Sequence, residues 1–187
     1  RLAWLVGERG VDPRHLLAVT FTNRAADEMR TRVAARLGVA RVGAWIGTFH
    51  SFALYVLRRD IEALGRSKSF TIFDDADQLS VMKRILKELP ASFVRVSPRE
   101  ALEWIGSLKQ GLKTPSDIDI RRPEEESFRE LWRRYHAALE RASGVDFDDL
   151  LVLTARLFQT HREVRERYGH RYRYVHIDEY QDTNRAQ

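Results

Sequence analysis

The sequence contains no cysteine. Disulfides and thiolate metal sites are therefore excluded, and the composition fits a cytoplasmic protein. Its six histidines stand apart, with no paired spacing of the H-E-x-x-H kind, so a structural metal is not expected. No apolar run approaches the about 20 residues that cross a bilayer, so no membrane partner is expected. The opening residues, Arg1-Leu2-Ala3-Trp4-Leu5-Val6-Gly7-Glu8, lack the apolar stretch and cleavage site of a signal peptide. No methionine leads them, and the chain is expected to start inside a longer protein. The ten glycines are never followed by lysine. A phosphate-cradling loop of the form G-x-x-x-x-G-K, then Ser or Thr, cannot be built from these residues. Lysine itself is confined to Lys68, Lys83, Lys87, Lys109 and Lys113.

What is present suffices for a core. The 187 residues are 43% hydrophobic and 32% charged, with a net charge of +5 carried mainly by arginine. Arginine's planar fork suits paired hydrogen bonds to phosphate. Charge alone reads more readily as a solvated, arginine-biased surface than as a nucleic-acid site.

Along the chain, residues 1–10 read as the end of an amphipathic helix closed by Gly10, followed by a turn at Asp12-Pro13. Residues 15–21 are a short apolar run of the kind that forms a buried parallel strand. Residues 24–37 carry Ala25, Met29, Val33 and Leu37 at helical spacing, and Gly38 stops them. Residues 42–47 predict a second strand, and Thr48 or Ser51 opens a second helix. This alternation is the signature of an α/β fold with a parallel sheet.

The middle differs. Helices are predicted over 74–89, 98–109 and 124–141, punctuated by Pro90, Pro115 and Pro123, with no clear strand beyond 70–73. This reads as an inserted helical subdomain. Asp146-Phe147-Asp148-Asp149 opens another helix to about residue 159, with Asp146 and Asp148 as capping candidates. Trp104 and Trp132 read as core. Residues 172–179 predict a buried strand that delivers two carboxylates at its C-terminal end, where open α/β sheets bind ligands. A helix is expected to start near the end of the chain. The expected division is 1–66, first part of a motor domain; 67–145, inserted helical subdomain; and 146–187, return to the first domain.

The carboxylates carry the chemistry. Val175-His176-Ile177-Asp178-Glu179 has the Walker B form, an apolar strand ending in Asp-Glu. One carboxylate holds magnesium on nucleotide phosphates, and the next orients or deprotonates the attacking water. Alone, the pattern also fits a strand ending in solvated acids that cap the next helix. The full string Asp178-Glu179-Tyr180-Gln181-Asp182-Thr183-Asn184 is more specific. It resembles motif II of the UvrD/PcrA/Rep helicases of superfamily one. Ala18-Val19-Thr20-Phe21-Thr22-Asn23-Arg24-Ala25-Ala26-Asp27-Glu28-Met29 resembles motif Ia of that family, with Arg24 where the family form has Lys. Gly47-Thr48-Phe49-His50-Ser51 resembles motif Ib. More loosely, Lys109-Gln110, Thr114-Pro115 and the segment from Asp146 to Leu151 are similar to the family's accessory subdomain.

The resemblance implies a RecA-like P-loop NTPase parallel sheet, incomplete here, with an inserted mainly helical subdomain. It implies an ATP-dependent helicase or translocase moving 3′ to 5′ on single-stranded DNA, serving repair or replication. ATP and Mg2+ are the implied cofactors, and single-stranded DNA and single/double-strand junctions the implied partners. Asp178 is the implied magnesium ligand, Glu179 the general base and Gln181 the γ-phosphate sensor. Phe21, Thr22, Asn23, Thr48, Phe49, His50 and Ser51 are the implied single-strand contacts. Phe21 and Phe49 offer stacking faces, and the strand-to-helix turns offer anion affinity. Read singly, the phenylalanines also fit the core, and Thr22, Asn23 and Ser51 also fit helix caps. Lys109, Lys113, Arg129, Arg133 and Arg134 are candidate duplex contacts, and equally an ordinary basic face.

The P-loop is expected just upstream of Arg1 and a second motor domain beyond Gln187. This piece alone is therefore expected to be inactive as an ATPase and poorly stable. The alternatives are a helicase subunit of a helicase–nuclease complex of the RecB or AddA type, and a DNA-binding remnant that lacks the P-loop. A P-loop ATPase unrelated to DNA is disfavoured by the T-F-T-N and T-F-H-S segments.

Overall fold

The computed structural model describes residues 1–90, 93 and 96–187. The chain forms two compact units, one of residues 1–56 and 156–183, the other of residues 57–155 and 184–187.

The first unit is an α/β layer. Its helices and strands are α1 (Leu2–Gly7), β1 (Leu16–Thr20), α2 (Asn23–Leu37), β2 (Trp45–Thr48), the start of α3 (Phe49–Asp60), and a strand near the chain's end, residues 174–177. The strands lie in the order β2, β1, then this last strand, all parallel. Every residue of β1 is buried, as a strand flanked on both sides requires. Leu2 and Leu5 of α1, Ala26 and Val33 of α2, Leu16 and Ala18 of β1 and Ile46 of β2 form one core cluster. Helix α2 starts where the Thr22 hydroxyl accepts the Ala25 N–H at 3.1 Å, and it ends at Gly38, whose φ of 66° is left-handed. The β1–α2–β2–α3 alternation is as expected, with each strand shorter or shifted by a few residues. A 3-10 turn over Pro13–His15 stands at the expected Asp12-Pro13 turn.

The second unit is mainly helical. After α3 come β3 (Thr71–Ile72), α4 (Asp75–Glu88), α5 (Pro98–Gln110), α6 (Pro123–Arg141), β4 (Gly144–Val145) and the first part of α7 (Phe147–Thr160). Reciprocal capping boxes start α4 (Asp74 with Asp77) and α5 (Ser97 with Glu100, Pro98 following), each satisfying two otherwise orphaned N–H groups. Met82, Ile85, Ile105, Leu131, Trp132, Tyr135 and Leu139 share one core, with Trp104 partly buried against it. The short β4 was not foreseen. It pairs in parallel with β3, and a Cβ at Gly144 would stand 2.6 Å from the Phe73 ring.

The end of the chain departs from expectation. A helix, α8 (Arg162–Arg171), precedes the final strand, β5 (Tyr174–Ile177). And β5 is not buried: Tyr174 is 40% and Val175 54% exposed, because among the described residues β5 pairs only with β1. The segment after β5 makes a 3-10 turn over Tyr180–Asp182 rather than opening an α-helix. The unit boundaries fall inside α3 and α7, whereas the expected ones fell at residues 66 and 145. Residues 184–187 group with the second unit, where the Ala186 N–H donates to the Gln110 carbonyl at 3.2 Å.

Candidate nucleotide and DNA-strand site

Register brings the motifs of the first unit together. Thr20 lies opposite Thr48 and Val19 opposite Ile177. The three strands therefore end at one edge of the sheet. Phe21-Thr22-Asn23, Phe49-His50-Ser51 and Asp178-Glu179 all leave from it.

At the end of β5 the Asp178 N–H donates to the Val19 carbonyl at 3.0 Å, extending the ladder one residue past the strand. Its carboxylate lies exposed beyond the last ladder bond. Glu179 then adopts φ 51°, ψ 46°, a left-handed conformation that non-glycine residues seldom take and that concentrates at functional sites. The left-handed residue turns the chain directly after Asp178. The Gln181 Nε2 amide donates to Glu179 Oε2. That bond fixes the carboxylate and ties it to the 3-10 turn.

At the end of β1 the Thr20 hydroxyl donates to the Thr22 carbonyl at 2.9 Å, folding the chain sharply toward α2. Thr22 caps α2, and Asn23 and Arg24 are exposed in its first turn. At the end of β2, Thr48 and Ser51 bond reciprocally: the Thr48 N–H donates to Ser51 Oγ at 2.9 Å and the Ser51 N–H to Thr48 Oγ1 at 3.2 Å. These bonds cap the start of α3. A Cβ at Gly47 would stand 2.6 Å from the Trp45 ring and 2.7 Å from Ser51 Oγ, so only glycine lets ring, cap and strand close together here.

The aromatic pair divides. Phe21 is 38% exposed and Phe49 8%, with ring centroids 5.5 Å apart and edge to face. Phe21 alone offers a stacking surface. The expectation that Phe49 offers one is corrected: its ring lies in the core and braces Phe21 from below. His50 is half-buried, and burial holds its imidazole below the ordinary histidine pKa, which favours a neutral hydrogen-bonding ring.

One neighbourhood escaped sequence reading. A cleft of about 470 Å³ beside Asp178 is lined by Met29, Arg32 and Arg36 of α2, with His176 and Ile177 of β5. His176 Nε2 is buried without a partner. The available signal was spacing: His176 stands two residues before Asp178 and shares its face of the strand.

The duplex candidates fall in the second unit and differ from one another. Lys113 and Arg133 are exposed. Arg129 and Arg134 are paired within their helix to Glu126 and Glu130, each at 2.8 Å. Lys109 is a correction. It is 3% exposed and bonds Asp146 Oδ2 at 2.5 Å and Asp149 Oδ1 at 2.7 Å, so it cannot meet a surface ligand. Asp146 caps α7, accepting the Asp149 N–H at 2.8 Å. Asp148, also expected as a cap, instead accepts the Gln110 amide at 3.5 Å.

The sequence has relatives of known name. The chain is 44% identical over its whole length to a protein named ATP-dependent DNA helicase PcrA from Leuconostoc citreum. It is 42% identical, again over its whole length, to one of the same name from Bacillus subtilis. It spans 25% and 26% of those proteins respectively, about a quarter of their length. The model of the UvrD/REP helicase N-terminal domain matches residues 1–187, and the chain belongs to that family.

Proposed function

We propose that the chain is part of the first motor domain of an ATP-dependent DNA helicase that moves 3′ to 5′ on single-stranded DNA and works at single/double-strand junctions. The observation that carries the reading is the shared sheet edge. Asp178 and Glu179 leave it beside the turns that expose Phe21, Thr22 and Asn23, so groups suited to phosphate chemistry and to a DNA strand occupy one rim. The relatives' name supports both ATP and DNA.

The donor set fits magnesium. Magnesium prefers hard oxygen ligands and is held in such sites by one or two carboxylates, with phosphates and water completing the shell. Asp178, exposed at the strand end, is the residue that would hold it, directly or through water. When bound, ATP would supply the γ-phosphoryl group and magnesium would neutralise the charge that develops on it. Glu179 orients the attacking water and takes its proton. Gln181 holds the Glu179 carboxylate and, through the turn, links phosphate state to the strand-binding rim. Phe21 stacks on a base, a contact worth about 1–3 kcal/mol. Asn23, Arg24, His50 and the first-turn amides of α2 and α3 meet the backbone phosphates. Lys113, Arg133 and, less freely, Arg129 and Arg134 are the duplex contacts. The setting is cytoplasmic and the role lies in repair or replication.

Glu179→Gln in the complete protein tests the assignment. The amide keeps the shape but cannot take a proton. Turnover should fall by roughly 100- to 10,000-fold, the range of a general base, with single-strand affinity unchanged. An intact DNA-stimulated ATPase in this variant would refute the role of Glu179.

A further inference from the structure

The rim just described lies at the C-terminal ends of the strands; a second charged surface lies at their N-terminal ends. Between Glu166 and β5 the chain carries Arg167, His170, Arg171 and Arg173 and no acid. Helix α8 buries Val164 and Tyr168 and leaves its arginines outside. His15 Nδ1–H donates to the Arg171 carbonyl at 2.8 Å, which fastens the end of α8 to the turn before β1, where Arg14 is paired with Asp12.

These cations are held differently from the arginines that pair along other helices. Arg32, Arg122, Arg129, Arg134 and Arg162 each bond a carboxylate on their own helix or its cap. Arg171 instead lies over the Tyr172 ring, 5.4 Å from the centroid. Among the described residues no carboxylate lies within ion-pair distance of Arg171 or Arg173. A guanidinium resting on an aromatic face keeps its charge and its N–H fork while losing side-chain freedom. Gly169 is the second observation. It sits in the last turn of α8, and a Cβ there would meet nothing within 4 Å. Among the described residues no packing requires a glycine here, which costs helix stability. Its bare backbone, between Arg167 and Arg171 in sequence, lets a bulky group approach the helix closely.

We propose that this N-terminal edge, with His170, Arg171 and Arg173 beside Gly169, is a second contact for the phosphodiester backbone of DNA, beyond the strand held at the opposite rim. Phosphate fits the forks bidentately, and a polymer explains a row of charges better than a single ion. The inference rests on the DNA-helicase reading.

The test is the complete protein carrying Arg171→Gln and Arg173→Gln together, with the Arg-to-Lys pair as the conservative control. Affinity is read by fluorescence anisotropy against salt for a short oligothymidylate that fills only the motif Ia and Ib rim, for a long one and for a blunt duplex. The expected result is a log–log salt slope less negative by about 1.4 for the long single strand, at about 0.7 per phosphate contact, or by about 1.8 for the duplex. The short oligonucleotide's affinity and its stimulation of ATPase should stay unchanged, and the Lys pair should restore the slope. A change confined to the long single strand assigns the edge to that strand, and one confined to the duplex assigns it to the duplex. Unchanged slopes for both overturn the proposal, as does equal loss for the short oligonucleotide. Polyglutamate competing as well as DNA for the edge also overturns it, in favour of an acidic protein partner. Absence of any short-oligonucleotide stimulation in the unsubstituted protein would instead strike the helicase reading itself.

Discussion

Lys109 shows what one residue can do when it is taken out of water. Burial drives the ammonium toward its neutral form, but Asp149 and Asp146 together outweigh it and hold the pKa above the ordinary lysine value. The Tyr135 hydroxyl donates to Asp146 at 3.0 Å, so the site is hydrogen-bonded as well as paired. Such a cluster contributes little net stability compared with an apolar one, yet removing a single member strands the rest. Lys109→Met leaves two buried carboxylates without their cation and should cost about 3–5 kcal/mol, read as a lowered denaturant midpoint. A loss within the 0–1 kcal/mol range of about one exposed pair would refute the buried triad. The sequence hid this role for a physical reason. Lysine is rarely buried, and the carboxylate it meets stands 37 positions away, so no local pattern announces it. Phe49 was obscured in the same way. Both phenylalanines follow a strand-ending threonine, and only the packing of the sheet decides which ring is covered.

At the scale of elements, legibility followed local chemistry. Helices α4 and α5 were readable because their capping boxes and apolar spacing agree. Helix α8 was not: R-E-V-R-E-R-Y-G-H-R offers only Val164 and Tyr168 to bury, too few for a periodic signal. Strand β4, two residues long, exists through its pairing with β3 rather than through any propensity. The packing of α7 on α5 was equally silent, since it depends on Gly106. A Cβ there would stand 2.9 Å from Asp148 Oδ2, so the glycine admits a carboxylate between the helices. Burial first, then the charge of Asp146, raises the Asp148 pKa, and Lys109 and the Gln110 amide only partly oppose this. A carboxyl that holds its proton more tightly when folded contributes most at low pH, and the contribution is lost as pH rises through the folded pKa. Charged Asp148 is therefore a net cost at neutral pH. Asp148→Asn should raise the melting temperature there, with the gain shrinking as pH falls toward the ordinary carboxylate range. A gain independent of pH, or a loss at neutral pH, would contradict the argument.

For the whole molecule, the order of the motifs around a helical insertion was readable, and the parallel sheet followed from it. What could not be read was how closely the three strand ends align, because register is a property of pairing and not of any one segment. On the proposed reading, that alignment gives these residues half of a phosphate-transfer site. Asp178 and Glu179 supply the carboxylates, but none of the ten glycines precedes a lysine, so nothing among them forms the amide cradle that grips β- and γ-phosphates. The two halves of the chemistry are therefore separable in experiment. The 187 residues alone should bind single-stranded DNA with salt-dependent affinity through Phe21 and the turns after β1 and β2. They should release no phosphate from ATP above background, with or without magnesium and DNA. Phosphate release that requires magnesium and disappears in Glu179→Gln would mean that the carboxylate edge positions ATP without a cradle, and the mechanism would need a different phosphate grip. Retained DNA binding without turnover would show that the strand-binding rim is assembled by the register of β1 and β2 and does not wait for nucleotide.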